Sequence, residues 1–211
     1  FEALKKFSKE GVSMLVCDST NIMVDKKSPS EAEVRKSLLE IIPQVEGGLI
    51  VTCFASNLMR LESLILAADK AGRTPVLLGR TLINNIKIAK ECGYLQDLPQ
   101  VHTMEEAKDI PADKALYICT GSQANYRSAL SIIANGESKY IKLDNSDTII
   151  FSSKMIPGNE DKIERMQDKL AAQGATVITD ETQLVHTSGH ACRDDLKRMY
   201  DLLKPAVVLP V

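Results

Sequence analysis

The feature that most constrains this chain is its alternation of two kinds of segment. Short, largely apolar runs recur along it: VSMLVC (Val12–Cys17), GLIVTCF (Gly48–Phe54), TPVLLG (Thr74–Gly79), ALYICTG (Ala115–Gly121), DTIIFSS (Asp147–Ser153), ATVIT (Ala175–Thr179) and AVVLPV (Ala206–Val211). Between them lie longer stretches in which apolar residues recur at helical spacing. A strand that is apolar on both of its faces has to be covered on both, and helices crossing between parallel strands provide that cover. The pattern predicts an α/β fold: a Rossmann-like, mostly parallel sheet with helices on both faces.

Local signals place the helices. Ser30 and Glu33 read as a capping box opening a helix over Ser30–Ile42, and Thr103 with Glu106 is a second box. Further helices are expected over Leu58–Ala71, Thr81–Cys92, Tyr126–Ala134 and Asp194–Leu203. Pro157 at a first helical position and Gly174 as a stop frame another. Tyr94–Pro111 has weak periodicity and reads as a surface connection.

Composition excludes several classes. The net charge is −2, so no polybasic arm or membrane-surface patch is expected. No apolar run approaches the roughly 20 residues of a membrane helix, and a signal peptide before Phe1 is not expected. Aromatics are 4% with no Trp, so stacking platforms for bases are not prominent. The five cysteines are far apart and form no C-x-x-C, which fits buried free thiols in a reducing cytoplasm rather than disulfides or a zinc ribbon. The chain starts inside a helical pattern without Met, and is expected to be an excised piece of a longer protein.

Ligands of open α/β sheets bind beyond the carboxyl ends of the strands. There the sequence carries CDSTN (Cys17–Asn21), FASNLMR (Phe54–Arg60), TGSQ (Thr120–Gln123), SSKMIPGNE (Ser152–Glu160) and HTSGH (His186–His190). Small hydroxyl and amide residues at helix starts suit phosphate oxygens, although they also serve simply as helix caps. Asp18 can cap a turn, orient a histidine or support a metal site. Arg60 can hold a phosphate through its forked guanidinium or remain an exposed helix charge. His186 and His190 are two of three histidines in the chain. Two imidazoles do not complete a catalytic zinc site, and His102 is an improbable third. No G-x-S-x-G elbow supports Ser188 or Ser122 as a nucleophile.

The ordered set VCDSTN, TCFASNLMR, TGSQ, FSSKMIPGNE and HTSGHACRDDLKRMYDLLKPAVVLPV, spread over nearly the whole chain, closely resembles ribonuclease J of the metallo-β-lactamase/β-CASP nucleases. The resemblance implies a Rossmann-like β-CASP domain inserted in a metallo-β-lactamase domain that holds two Zn²⁺, with RNA cut between them. It implies degradation from a 5′-monophosphate end as well as internal cutting. Residues 1–20 would then be a flank from the metallo-β-lactamase domain, 21–190 the β-CASP domain, and 191–211 a helix and strand returning to the first domain. Asp18 matches the acidic residue of the first β-CASP motif. His190 matches the histidine of the second, which helps protonate the leaving oxygen. His186, Thr187, Ser188, Gly189 and His190 match the substrate-binding stretch. Ser56, Asn57, Arg60, Gly121, Ser122, Ser152 and Ser153 look like residues that cradle the RNA backbone and its 5′ phosphate.

The family's H-x-H-x-D-H motif is absent, and the family's zinc-binding histidine would follow Val211. This chain is therefore expected to hold no metal and to cut no RNA alone. Single-stranded 5′-monophosphorylated RNA, the protein's own metallo-β-lactamase domain and a homo-oligomeric full-length form are the implied partners, in the cytoplasm. Two departures stand out: Ala124-Asn125-Tyr126 replaces the family's Gly-Glu-Pro, and Thr81–Glu91 lacks the expected aromatics. Without the resemblance, the residues read as a self-contained nucleotide- or phosphate-binding module.

Overall fold

In the computed structural model, which describes residues 2–211, the elements follow the alternation in the sequence. They are α1 (Glu2–Glu10), β1 (Met14–Cys17), α2 (Glu31–Ile41), β2 (Leu49–Thr52), α3 (Leu58–Lys70), β3 (Thr74–Leu78), α4 (Arg80–Glu91), β4 (His102–Thr103), β5 (Ala115–Cys119), α5 (Ala129–Ala134), β6 (Thr148–Phe151), α6 (Glu160–Ala172), β7 (Thr176–Ile178), α7 (Arg193–Leu203) and β8 (Val207–Pro210). They form two compact units. One is Glu31–His186; the other joins the described part of Phe1–Ser30 to Thr187–Val211.

The larger unit holds a six-stranded sheet in the order β4-β3-β5-β2-β6-β7, with every ladder parallel. The dinucleotide-binding order would set β2 beside β3; here β5 intervenes and pairs with both. Successive residues of the central strands point to opposite faces. Leu49, Val51, Leu116, Ile118 and Ile150 join one core with α2, α3 and α4. Ile50, Tyr117, Cys119, Ile149 and Phe151 join the other with α5 and α6. The apolar positions on both sides of each strand are thus explained by helices on both sides of the sheet.

Close approach of strand ends explains a glycine pair. Asp147, which is buried, accepts hydrogen bonds from the Gly48 amide at 2.9 Å and from the Asp144 amide at 2.9 Å. A Cβ on Gly47 would sit 2.1 Å from the Ser146 carbonyl oxygen, and one on Gly48 would sit 2.4 Å from the Asp147 carboxylate.

The smaller unit pairs β1 with β8 in a separate two-stranded parallel sheet, Met14 opposite Val207 and Cys17 opposite Pro210. Asp18 therefore does not belong to the edge of the six-stranded sheet, contrary to the expectation of five strand exits in one row. A parallel pair is normally buried on both faces, yet Met14, Val16, Val207 and Leu209 are exposed.

Local expectations shift in three places. The helix anticipated at Pro157 starts at Glu160, because Gly158 takes a positive φ of 91° and turns the chain first. Thr103 and Glu106 do form a reciprocal box, with the Thr103 amide 2.7 Å from Glu106, but it closes a turn beside β4 rather than a helix. The Tyr94–Pro111 connection contains that short edge strand, pairing His102 with Val76. Of the cysteines, Cys53, Cys119 and Cys192 are buried, while Cys17 is half-buried and Cys92 exposed. Burial pushes the Cys53 and Cys119 thiols up to about 12, so both are unreactive.

Leu116 sits fully buried on the strand that pairs with both β2 and β3. Leu116→Ala is expected to cost about 2–5 kcal/mol of stability. Urea denaturation should show a lower midpoint with an unchanged slope.

Candidate functional site

Each unit carries its own cluster of the residues singled out from sequence. In the larger unit the cluster lies at the carboxyl ends of β2 and β6. The first turn of α3 begins at Asn57, whose side chain accepts from the Arg60 amide at 3.0 Å as an N-cap. Arg60 lies in this capped first turn, and its side chain is fully buried. Nη2 and Nε meet both oxygens of Glu31 at 3.0–3.2 Å. Nη1 donates to the Ser152 hydroxyl at 2.6 Å, the Ser152 carbonyl at 3.1 Å and the Val185 carbonyl at 2.8 Å. The Ser152 hydroxyl in turn donates to the Val185 carbonyl at 2.7 Å.

This arrangement corrects the reading of Arg60 as a phosphate ligand. Its donors are spent on protein acceptors, and it ties together α2, α3 and the loops after β6 and β7. Ser122, Ser152 and Ser153 are likewise buried, as is Gly121, whose φ of +116° and close approach to the Ser128 hydroxyl leave no room for a side chain. These residues build the edge rather than line an open cradle. Ser56 is exposed and Asn57 half-buried.

His186 lies beside Arg60, with Nδ1 3.5 Å from Nη1. Burial, and then the charge of Arg60, lower it from its ordinary 6.5 to about 4. The ring is therefore a neutral acceptor at physiological pH.

The smaller unit brings together residues far apart in sequence. Asp18, one position after β1, places Oδ2 2.8 Å from His190 Nδ1. Its other bonds are local, to the Thr20 amide and hydroxyl, both at 3.1 Å. The hydrogen bond to His190 is the main reason the Asp18 carboxyl lies below its ordinary value. Asn21 donates to the His190 carbonyl at 3.0 Å, and the Ser188 hydroxyl accepts from the His190 amide at 3.1 Å. Thr187 donates to the Pro29 carbonyl at 2.7 Å, and a side chain on Gly189 would meet open space. An ionised carboxylate facing Nδ1 selects the Nδ1–H tautomer and leaves Nε2 for a reacting group. Both side chains are about half exposed, so the imidazole is accessible.

Three further residues contribute, of which only Glu31 lies outside the polar strand exits singled out from the sequence. Glu31 follows a capping serine and looks like an ordinary first-turn acid, yet it neutralises Arg60. Asn21 and Gln123 act through tertiary contacts, Gln123 donating to the Lys154 carbonyl at 2.9 Å and accepting from the Ile156 amide at 3.0 Å. The CDSTN and TGSQ stretches contain Asn21 and Gln123, although not the partners they take; nothing local marks Glu31 as the partner of Arg60. Among the described residues no group of three or more His, Cys, Asp or Glu side chains is placed to hold a metal ion, and no helix is long and apolar enough to cross a membrane.

The six-stranded parallel sheet with helices on both faces defines the larger unit as a Rossmann-like α/β domain, and comparison with known proteins specifies it. Residues 46–170 match the model described as "Ribonuclease J, beta-CASP domain", and residues 174–211 match "Zn-dependent metallo-hydrolase RNA specificity domain". Ribonuclease J of Sinorhizobium meliloti is 41% identical over 98% of this chain and 37% of its own length. The Mycolicibacterium smegmatis protein of that name is 39% identical over 99% of this chain and 38% of its own, and that of Thermus thermophilus 39% over 95% and 35%. The chain belongs to the ribonuclease J family. It spans little more than a third of the length of these relatives.

Arg60→Ala strands the Glu31 carboxylate and four further acceptor contacts, and is expected to cost about 3–5 kcal/mol in chemical denaturation. His186 generates a pH dependence. The unfolded chain protonates this ring at its ordinary 6.5, whereas the folded chain holds it neutral down to about 4. Stability should therefore fall as pH drops from about 6.5 to about 4 and level off in this contribution below that. Asp18, with its lowered carboxyl, loses its contribution only at more acidic pH. His186→Gln should flatten the stability–pH curve within that upper window, measured by denaturation at fixed pH steps.

Proposed function

We propose that this chain is the RNA-binding β-CASP portion of a ribonuclease J-type 5′–3′ exo- and endoribonuclease. Residues 1–20 and 191–211 are flanks shared with its metallo-β-lactamase domain. The observation that carries the reading is the 2.8 Å contact between Asp18 Oδ2 and His190 Nδ1, across 172 positions of sequence. It sits on a family membership defined by relatives named ribonuclease J. The exposed apolar residues of the β1–β8 pair favour the same reading, since a parallel pair of this kind is stable when a larger sheet continues it.

In the proposed reaction, water displaces the 3′-side oxygen from a scissile phosphate. Asp18 fixes the plane of His190 through Nδ1–H. In its imidazolium form His190 gives the Nε2 proton to the departing oxygen as the P–O bond breaks, and regains a proton from solvent. Ser56, Asn57 and His186 of the larger unit, and Thr187–His190 of the smaller one, are each assigned to RNA binding, with neutral His186 as an acceptor. The buried Gly121, Ser122, Ser152 and Ser153 shape the loops behind them. Zinc would supply an activated water. The donors of the described residues do not suit such a site, so two Zn²⁺ are assigned to residues of the full-length protein outside this chain, and the chain alone is proposed to be inactive. The full-length protein is proposed to be cytoplasmic and homo-oligomeric. The alternative of a self-contained phosphate-binding module fares worse because the Ser122, Ser152 and Ser153 hydroxyls of its cradle are buried and Arg60 is spent on protein acceptors.

In the full-length protein, His190→Ala should slow cleavage of 5′-monophosphorylated RNA by about 10²–10⁴-fold without lowering the melting temperature. Wild-type cleavage rates in a folded His190→Ala protein would sink the assigned role.

A further inference from the structure

The helix α6 segregates its charge. Its basic residues are Lys162, Arg165 and Lys169, and its acidic residues are Glu160, Asp161, Glu164 and Asp168. All three basic residues line a groove against α5 with a volume of about 570 Å³, and none of the acids does. At helical spacing, positions 162, 165 and 169 share one side and run along about 10 Å of axis. None of the ion pairs of the described residues involves these three cations. Lys169 instead donates to Asn135 at 2.8 Å. No Asp or Glu lines the groove, so its wall presents a positive strip suited to an anionic ligand.

The rim of the groove adds an aromatic ring. Tyr126 is 87% exposed, and the guanidinium of Arg127 lies 5.2 Å from its ring centre. The loop that carries it is fixed. Gln123 holds its start through the Lys154 carbonyl and the Ile156 amide, and the Ser131 hydroxyl donates to the Asn125 carbonyl at 2.9 Å. A rigidly presented aromatic beside a row of cations is the combination that takes a base face together with its phosphates.

We propose that the α5–α6 groove is a binding site for single-stranded RNA, in addition to the Asp18–His190 site. Lys162, Arg165 and Lys169 hold successive phosphates, and Tyr126 stacks a base. The inference rests on the ribonuclease reading above. It assigns the groove to a stretch of RNA beyond the nucleotides that undergo cutting, so its contribution grows with the length of the RNA.

The test uses the full-length protein that contains this chain and cleavage-resistant 2′-O-methyl RNA, one oligonucleotide very short and one long, with binding followed by fluorescence anisotropy. Lys162→Gln/Arg165→Gln/Lys169→Gln should weaken binding of the long RNA and lower the slope of log affinity against log salt by about 2, while the short RNA loses much less. Tyr126→Ala should weaken the long RNA about fivefold or more with the slope unchanged. All four side chains are exposed, so melting temperatures should stay at the wild-type value. Equal losses for long and short RNA, or no loss for either, would overturn the proposal. So would loss of polyglutamate binding without loss of RNA binding, which would make the groove a protein-docking site. Cleavage of unmodified 5′-monophosphorylated RNA by the unaltered protein tests the underlying reading separately: if it cuts and the groove variants bind long RNA normally, only the groove proposal fails.

Discussion

The buried guanidinium of Arg60 is the interaction on which the larger unit's functional edge depends. A charge with no solvent exposure is tolerable only when every donor is met. Here Glu31 supplies the counter-charge, and Ser152 and Val185 supply oxygens. These partners come from α2 and from the exits of β6 and β7, which also meet directly through the Ser152 hydroxyl and the Val185 carbonyl. The arginine adds a charged tie between α2, α3 and these strand exits. It also adds to the character of His186: burial first, and then the cation 3.5 Å away, keep the ring neutral.

The sheet supplies the frame for that edge. Its parallel strands all present their carboxyl ends on one side, and β5 between β3 and β2 places the TGSQ loop centrally. Gln123 then couples this loop to the one after β6. The smaller unit solves a different problem by different means. Its β1–β8 pair brings Asp18 and His190 together, and Asn21 and Ser188 hold the histidine's backbone. Imidazole orientation is achieved with half-exposed groups, which leaves the second ring nitrogen accessible.

Much of this was legible in the sequence. Apolar runs such as Leu49–Thr52 and Ala115–Cys119 announce a doubly covered parallel sheet, because no half-solvated strand would carry them. The capping signals at Ser30 and Asn57 place helix starts to within a residue or two. The helix start differs from Pro157 because Gly158 takes a positive φ that only the folded turn reveals. Among the site residues, Asp18, His186 and His190 were visible as polar groups at strand exits. Arg60 was visible too, but its direction was not: the same residue one turn into a helix can face solvent or core, and the partner that decides the matter, Glu31, is 29 positions away.

The sequence by itself determined the fold class, the helices and strands, and the short list of residues able to do chemistry, because periodicity, caps and side-chain type are local properties. Tertiary structure alone decided the strand order, the separation of β1–β8 from the six-stranded sheet, and which polar residues meet. It turned Arg60 and Ser152 into an internal brace, paired Asp18 with His190, and set the cationic side of α6 along a groove with α5. Those outcomes depend on contacts between segments distant in the chain, where burial and charge compensation, not local preference, choose the partner.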